Sequence, residues 1–312
     1  MAHPRRFRFG AQVSRAPSAK EWAETARKVE DLGYSTLTMP DHFGDQLAPV
    51  PALMAAADAT TRLRIGTLVF DNDYKHPLVL AKECATLDLL SEGRLEIGFG
   101  AGWMRTDYEQ SGIAYDPPKV RVDRFEEALH VLKGLFADGP FTFDGEHYTI
   151  TGHDGLPKPR QRPHPPIVVG GGGRRVLSIA AREADVVSVN PDLRAGLGGA
   201  ETAPNATPAS TSRKLGWVRE AAGDRFDDLE LSNLVGFVHM TDDPGSIAEA
   251  MAPTFGIAAD DVLHVPLVLV GTVDSMVEEL QRRRDEWGFS YVAFDGDSWE
   301  AMAPVVARLA GT

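Results

Sequence analysis

The sequence predicts a (β/α)8 barrel, on three observations. Eight short apolar runs rich in strand formers recur along the 312 residues. Stretches of helical period separate or flank them, and the runs are continuously apolar instead of alternating, so both faces need cover and neighbouring strands must pair in parallel. Eight such units close on themselves, and barrels of this kind commonly run to about 250 residues or more as one unit. Residues 1–312 are therefore expected to form a single TIM-barrel domain, with insertions at about 103–120, 141–165 and 190–212.

FRFGAQV (7–13) is the first strand. Ser18 and Glu21 then make the S-x-x-E capping box of a helix whose buried stripe is Trp22, Ala26 and Val29. YSTLTM (34–39), LRIGTLVF (63–70) and RLEIGFG (94–100) are the second, third and fourth strands. Between them lie a short helix near 51–60 and one from Pro77 to a stop at Gly93, with proline in the first turn and glycine past the end. Val122, Phe125, Leu129, Leu132 and Phe136 fall at i, i+3, i+7, i+10 and i+14, the stripe of an amphipathic helix packed outside the sheet. FDGEHYTI reads as a short hairpin and KPRQRPHPP as a proline-rich return. PIVVGG (166–171), ADVVSV (184–189), LELSNLVGFVHM (229–240) and SYVAFD (290–295) complete the eight strands, with helices at 173–183, 213–222, 243–253 and 272–287. GLGGAETAPNATPASTS (196–212) is small, polar and aperiodic, and reads equally as a mobile lid or a tolerated insertion.

Composition narrows the function classes. A formal charge of −13 gives a surface that repels nucleic acid and anionic lipid. No apolar run approaches the ~20 residues of a membrane span, and the basic start MAHPRRFRF lacks the apolar segment of a secretory signal. A cytoplasmic protein is expected, with neither a nucleic-acid nor a membrane partner. Cys84 is the only cysteine, which excludes an intrachain disulfide and a cysteine-based metal site. On a stripe with Leu80 and Leu87 it reads as core, and no metal centre is expected.

In such a barrel the functional groups gather where strands end at the carboxyl face. That rule selects Asp41 and His42 after the second strand, Thr67 and Leu68 in the third, and Gly100, Ala101, Gly102 and Trp103 after the fourth. It also selects Gly170, Gly171, Gly172 and Gly173 after the fifth, and His239 near the end of the seventh. The glycine run opens a helix beginning Arg174-Arg175, and unobstructed N–H groups at a positive helix end suit a phosphate. Neither a Walker motif nor a GxGxxG turn is present.

TMPDHF (38–43), KHPLVLAKECATLDLLSEGRLEIGFGAGW (75–103), VVGGGG (168–173) and GTVDSMVEEL (271–280) together resemble the luciferase-like monooxygenase superfamily, and particularly its branch using the deazaflavin coenzyme F420. The resemblance spans nearly the whole chain; its block from KHP through LSEGR to GxGxGW is specific, whereas the glycine run alone is not. It implies a flavin or deazaflavin with its ring deep in the barrel mouth and its phosphate at the loops after strands four and five. The glycines around 98–102 would then let the backbone approach the cofactor, and Trp103 would wall the pocket. Asp41-His42 occupies the place of groups near the reactive edge of the ring, with His42 suited to proton exchange. Relatives carry a non-proline cis peptide behind the ring, which this sequence would place at Thr67-Leu68. Members that oxidise glucose 6-phosphate carry a glutamate where this chain has Trp103, which speaks against that substrate.

Several readings stay open from the residues alone. Trp103 equally suits packing beneath the excursion that follows; Asp41 suits loop capping; His42 suits a bond to a backbone carbonyl. For function, hydride transfer with F420 leads. An FMN-dependent monooxygenase served by a separate reductase follows, then a non-catalytic flavin-binding barrel. Hydrolysis by Asp41 and Asp295 would leave the glycine run unused. A polyglutamyl cofactor tail would call for a basic groove, for which Lys75, Arg105, Arg174 and Arg175 are the candidates, and the resemblance implies a homodimer through helices beside the early strands.

Overall fold

A computed structural model describes residues 5–196 and 198–312. Eight strands, Arg8–Gln12, Thr36–Met39, Arg64–Thr67, Leu95–Gly100, Ile167–Gly171, Val186–Val189, Glu230–Val235 and Phe289–Phe294, pair in parallel in chain order. The eighth pairs back onto the first, so the barrel is closed and has no edge. Helices cover the outside, and the capping box at Ser18 and the stripe of Trp22, Ala26 and Val29 form as the pattern requires. The long helix is Pro118–Phe136, and the 141–165 excursion carries the antiparallel hairpin. Cys84 is buried in the core.

Strands one, four and seven are not neighbours, yet Arg8 joins Glu96 and Glu230 at 2.6 Å each. Those side chains therefore meet inside the barrel, and Phe9, Ala11, Ile97 and Phe99, of the opposite parity, face the helices and are fully buried. Arg64 reaches the same Glu96 oxygen at 2.6 Å, and the Arg8 guanidinium lies 3.6 Å from the Tyr291 ring centroid. Two arginines thus compensate the buried carboxylate that would otherwise oppose folding. Beside these charges Val168, Val186 and Tyr291 form an apolar cluster with Leu68 packed against it.

The third and fourth strands approach unusually closely. A Cβ on Gly98 would fall 1.8 Å from the Thr67 carbonyl oxygen, and Thr67 Oγ1 donates to the Gly98 carbonyl at 2.7 Å. The peptide between Leu68 and Val69 is cis, one bond later than the sequence placed it, and the chain then resumes pairing with the fourth strand at Phe70–Asp71.

The seventh strand is shorter than its apolar run. At Gly236 and Phe237 the backbone N–H groups turn to the Leu267 carbonyl, at 3.0 and 2.9 Å. Phe237–Met240 leaves the barrel and pairs in parallel with Val268–Gly271, an apolar run that the sequence reading did not count as a strand. His239 consequently sits exposed on this outer two-stranded sheet. A fully buried Arg283 secures the addition, donating to the carbonyls of Val265 and Val268 at 3.1 and 2.6 Å while pairing with Glu279 at 2.7 Å. The helix expected from 213 begins at Pro208, because Thr207 caps it by accepting from the Ser210 N–H. Within 196–212 a 3-10 turn spans Gly199–Asn205. Lys214, buried, donates to the carbonyls of Asn190 and Asn205 at 2.8 and 2.7 Å, tying this stretch down.

Because strand three fills the space beside Gly98 with backbone, Gly98→Ala is expected to destabilise the barrel by several kcal/mol, on the order of 3 or more. Thermal unfolding followed by circular dichroism checks this; a melting temperature within 2 °C or so of the parent would contradict the close approach.

Candidate active site at the barrel mouth

The loops after strands two, three and four converge on His42. Its Nδ1 lies 2.7 Å from Asp107 Oδ2, and the same oxygen accepts from the Tyr74 hydroxyl at 3.0 Å. Asp107 is buried, on the short helix Arg105–Ser111 that follows Trp103. The His42 ring meets the Trp103 indole edge-on, 5.7 Å between centroids. A carboxylate accepts and cannot donate, so Asp107 draws the Nδ1 proton and leaves Nε2 for chemistry. His42 thus bonds a carboxylate where the sequence left a backbone carbonyl open.

Asp41 precedes His42 in the loop after strand two. Its Oδ2 accepts the Asp71 N–H at 3.3 Å, joining the loops after strands two and three, and burial pushes its carboxyl up. Asp71 is itself buried, its carboxyl 3.0 Å from the Tyr108 hydroxyl, which lies 2.9 Å from the Asp73 carboxylate and can give its one proton there. Burial, opposed by the Asp73 N–H and reinforced by the Asp73 charge, pushes Asp71 up to about 7. Arg124 balances the cluster, bonding Asp73 at 2.8 Å and Asp116 at 2.9 Å.

The glycines of strand four have a local explanation. At Gly100 a Cβ would meet Val69 at 2.6 Å, and at Gly102, where φ is +72°, it would meet the Tyr108 hydroxyl at 1.8 Å and the Asp71 carboxylate at 2.5 Å. The chain's own atoms occupy those spaces, so the missing side chains serve the seam between strands three and four. Ala101 and Gly102 are held by the buried guanidinium of Arg121, which takes both their carbonyls and the Asp116 carbonyl. Tyr115, stacked 4.3 Å from that guanidinium, donates to the Trp103 carbonyl at 3.1 Å. Trp103 lies against Gly198, where an added Cβ would stand 3.4 Å from the indole, so it packs against the loop after strand six.

Gly170 to Gly173 end strand five and lead into the helix Arg174–Glu183, whose N-cap, Gly173, provides no side-chain cap. The main-chain donors of its first turn are thus free of a capping side chain. Arg174 and Arg175 do not join this end. Arg174 pairs with Glu220 at 3.0 Å, and Arg175 with Asp123 and Glu126. Asp192, bonded by Arg194 Nε at 2.7 Å, stands beside Gly173 instead. Thr67 and Leu68 belong to the seam described above, with Leu68 reaching the barrel interior.

Sequence reasoning gave no role to Asp71 or Tyr74 and did not pair Asp107 with His42. The one available signal was that Asp107 lies in the first turn of the helix that follows Trp103. His76 introduces its helix, accepting the Leu78 N–H at 3.2 Å.

What folds here is a (β/α)8 barrel with its ionisable groups gathered at the carboxyl mouth, the arrangement of a barrel enzyme. The luciferase-like monooxygenase family model matches residues 5–207, and the chain belongs to that family. It is 32% identical over 134 residues to an FMNH(2)-dependent dimethylsulfone monooxygenase of Pseudomonas putida, covering 43% of this chain and 36% of that one. To an F420-dependent glucose-6-phosphate dehydrogenase of Amycolatopsis mediterranei it is 28% identical over 174 residues, 53% of this chain and 52% of that one. The chain thus spans about half or less of these relatives' lengths. In three dimensions the coenzyme F420 dependent tetrahydromethanopterin reductase of Methanopyrus kandleri superposes with a TM-score of 0.76 at 18% identity, covering 97% of this chain and 98% of that one, a likeness of fold. The relatives include both F420-dependent oxidoreductases and FMNH2-dependent monooxygenases. Among the described residues no helix is long and apolar enough to cross a membrane and no cluster of metal-ligating side chains occurs.

Asp71 holds its proton in the fold up to about pH 7, whereas its ordinary value is 3.8. Folding therefore takes up a proton between those values, and stability falls as pH rises through that window. Asp71→Asn is expected to flatten the dependence of melting temperature on pH from about 4 to 7 and to gain on the parent at pH 8. A parent and variant falling in parallel would show that another group carries the slope.

Proposed function

We propose that the chain is an oxidoreductase that moves a hydride between deazaflavin coenzyme F420 and a small organic substrate. The observation that carries this reading is His42 at the barrel mouth with Nδ1 committed to Asp107 at 2.7 Å. The mouth fits the cofactor in two respects. The uncapped helix start at Gly173 suits its phosphate, with Gly170 to Gly172 leading into it, and the half-buried Leu68 and Val69 offer an apolar support for its ring. Bound there, the deazaflavin would supply the two-electron chemistry, which does not call on oxygen.

The remaining work falls to side chains. His42 Nε2 gives a proton to the substrate oxygen or takes one from it, and Asp107 keeps the ring in the tautomer and orientation for that exchange. Asp41 positions the His42 loop. Trp103, with Tyr74 and the Phe43 ring 4.3 Å from that of Tyr74, walls the mouth with apolar surface that limits water. Trp103 supplies no carboxyl for a sugar phosphate, so a neutral substrate suits the pocket better.

One observation favours FMN as the second reading. Lys75 pairs with Glu83 at 2.6 Å and Arg174 and Arg175 are paired as above, so three of the four cations suited to a polyglutamyl tail are already engaged. With FMN the chain would act as a monooxygenase fed by a separate reductase. Titrating the purified protein with F420 and with FMN, followed by absorbance and fluorescence, separates the two. F420 is expected to bind at micromolar concentration, and His42→Ala to lower its turnover by roughly 10²- to 10⁴-fold with the cofactor constant changed only a few-fold. Binding of FMN alone would transfer the chain to the second reading, and binding of neither would end both.

Val79, Thr86 and Leu90 share one face of the helix Pro77–Leu90, with Val79 47% and Leu90 59% exposed. This face supports a homodimer as the partner contact. Light scattering is expected to give twice the chain mass for the parent and the chain mass for Leu90→Glu; a monomeric parent would refute it.

A further inference from the structure

Two buried side chains at the rim of the barrel keep an oxygen without a partner. Gln12 ends the first strand and Thr38 lies near the end of the second, and the two are register neighbours in the parallel pair. Gln12 has the parity of Arg8, and Thr38 that of Thr36, whose hydroxyl meets Arg8 inside the barrel. Both side chains therefore face the interior, one layer below the mouth. Gln12 is 7% exposed and Thr38 3%, and neither Gln12 Oε1 nor Thr38 Oγ1 has a hydrogen-bond partner among the described residues.

Asp295 settles which way the Gln12 amide points. Nε2 donates to Asp295 Oδ1 at 2.9 Å, and a carboxylate can only accept, so the nitrogen must be on that side and Oε1 on the other. A buried acceptor left unmade opposes folding, and such groups in a native structure call for an explanation. Here two occur on adjacent strands, on one face, at the end of the barrel where His42 stands. Neither enters the proton chemistry assigned to His42 and Asp107.

We propose that Gln12 and Thr38 form a polar subsite in the barrel mouth for a neutral ligand group that donates a hydrogen bond to Gln12 Oε1 and exchanges one with Thr38 Oγ1. The chemistry selects the group. A carboxylate or phosphate would meet the Gln12 oxygen, an acceptor, and is disfavoured, so the subsite is distinct from the helix start at Gly173. A hydroxyl, or the N–H and carbonyl edge of an imide, satisfies both atoms together. A hydroxyl would come from the substrate and an imide edge from the cofactor ring. The assignment rests on the mouth being the ligand site, as proposed above.

Thr38→Val and Gln12→Met in the full chain test it. Thr38→Val removes no hydrogen bond present in the structure, so its melting temperature is expected to match or exceed the parent's, which keeps the test clear of misfolding. F420 and FMN are titrated separately, and cyclohexanol is followed on the cofactor-free protein by saturation-transfer NMR. A rise of about tenfold in a cofactor dissociation constant in both variants, with cyclohexanol unaffected, assigns the subsite to the ring edge. Loss of the cyclohexanol signal in both variants, with cofactor constants held, assigns it to a substrate hydroxyl. The cyclohexanol arm needs no cofactor, so a parent that binds neither cofactor ends the oxidoreductase reading while leaving the subsite to be judged there. Parent-like behaviour of both variants in every arm overturns the subsite.

Discussion

The close contact of strands three and four is the constraint on which the rest of the mouth depends. Gly66 and Gly98 allow it, since a side chain on either would run into the backbone of the opposite strand. That approach carries Leu68 into the barrel and returns the chain to the fourth strand at Phe70–Asp71. Asp71 then reaches Asp41 through its N–H and Tyr108 through its carboxylate, and the helix bearing Tyr108 also carries Asp107 to His42. The His42 pair is therefore the last link in a chain of contacts that begins with two missing side chains.

The barrel treats charge differently at its two ends. Deep inside, Glu96 is matched by Arg8 and Arg64, and these cations outweigh burial and hold its carboxyl below the usual carboxylate range. At the mouth, the half-buried Asp41 and the buried Asp71 have few cations in contact, and their carboxyls rise. The first arrangement favours permanent charge and rigidity; the second favours the protonated form, and at Asp71 it holds the proton up to about pH 7. Arg121 belongs to neither group. It uses its donors on loop carbonyls and so holds the strand-four loop in the shape that presents Trp103.

Much of the fold was legible because its signals are local. Continuous apolar runs, the Ser18 capping box and the helical stripe ending at Phe136 each depend on residues within a few turns of one another. The seventh strand shows the limit. Its apolar pattern runs unbroken across Gly236, and the place where it leaves the barrel is set by the Leu267 carbonyl, some thirty residues later. The glycines of strand four were visible as a pattern, but their packing role was not, because the atoms that fill the space beside them lie on strand three and on Tyr108.

By itself the sequence determined the barrel, its eight strands, its family and the presence of His42 and the glycine run at strand ends, since period and motif are properties of neighbouring residues. Tertiary structure alone decided that Asp107 is the partner of His42, that Arg174 and Arg175 turn away from the glycine run, and that Gln12 and Thr38 are left with unmatched oxygens. Each of these depends on which side chains, distant along the chain, arrive within about 3 Å of one another, and hydrogen-bond distance is a relation that only the closed barrel defines.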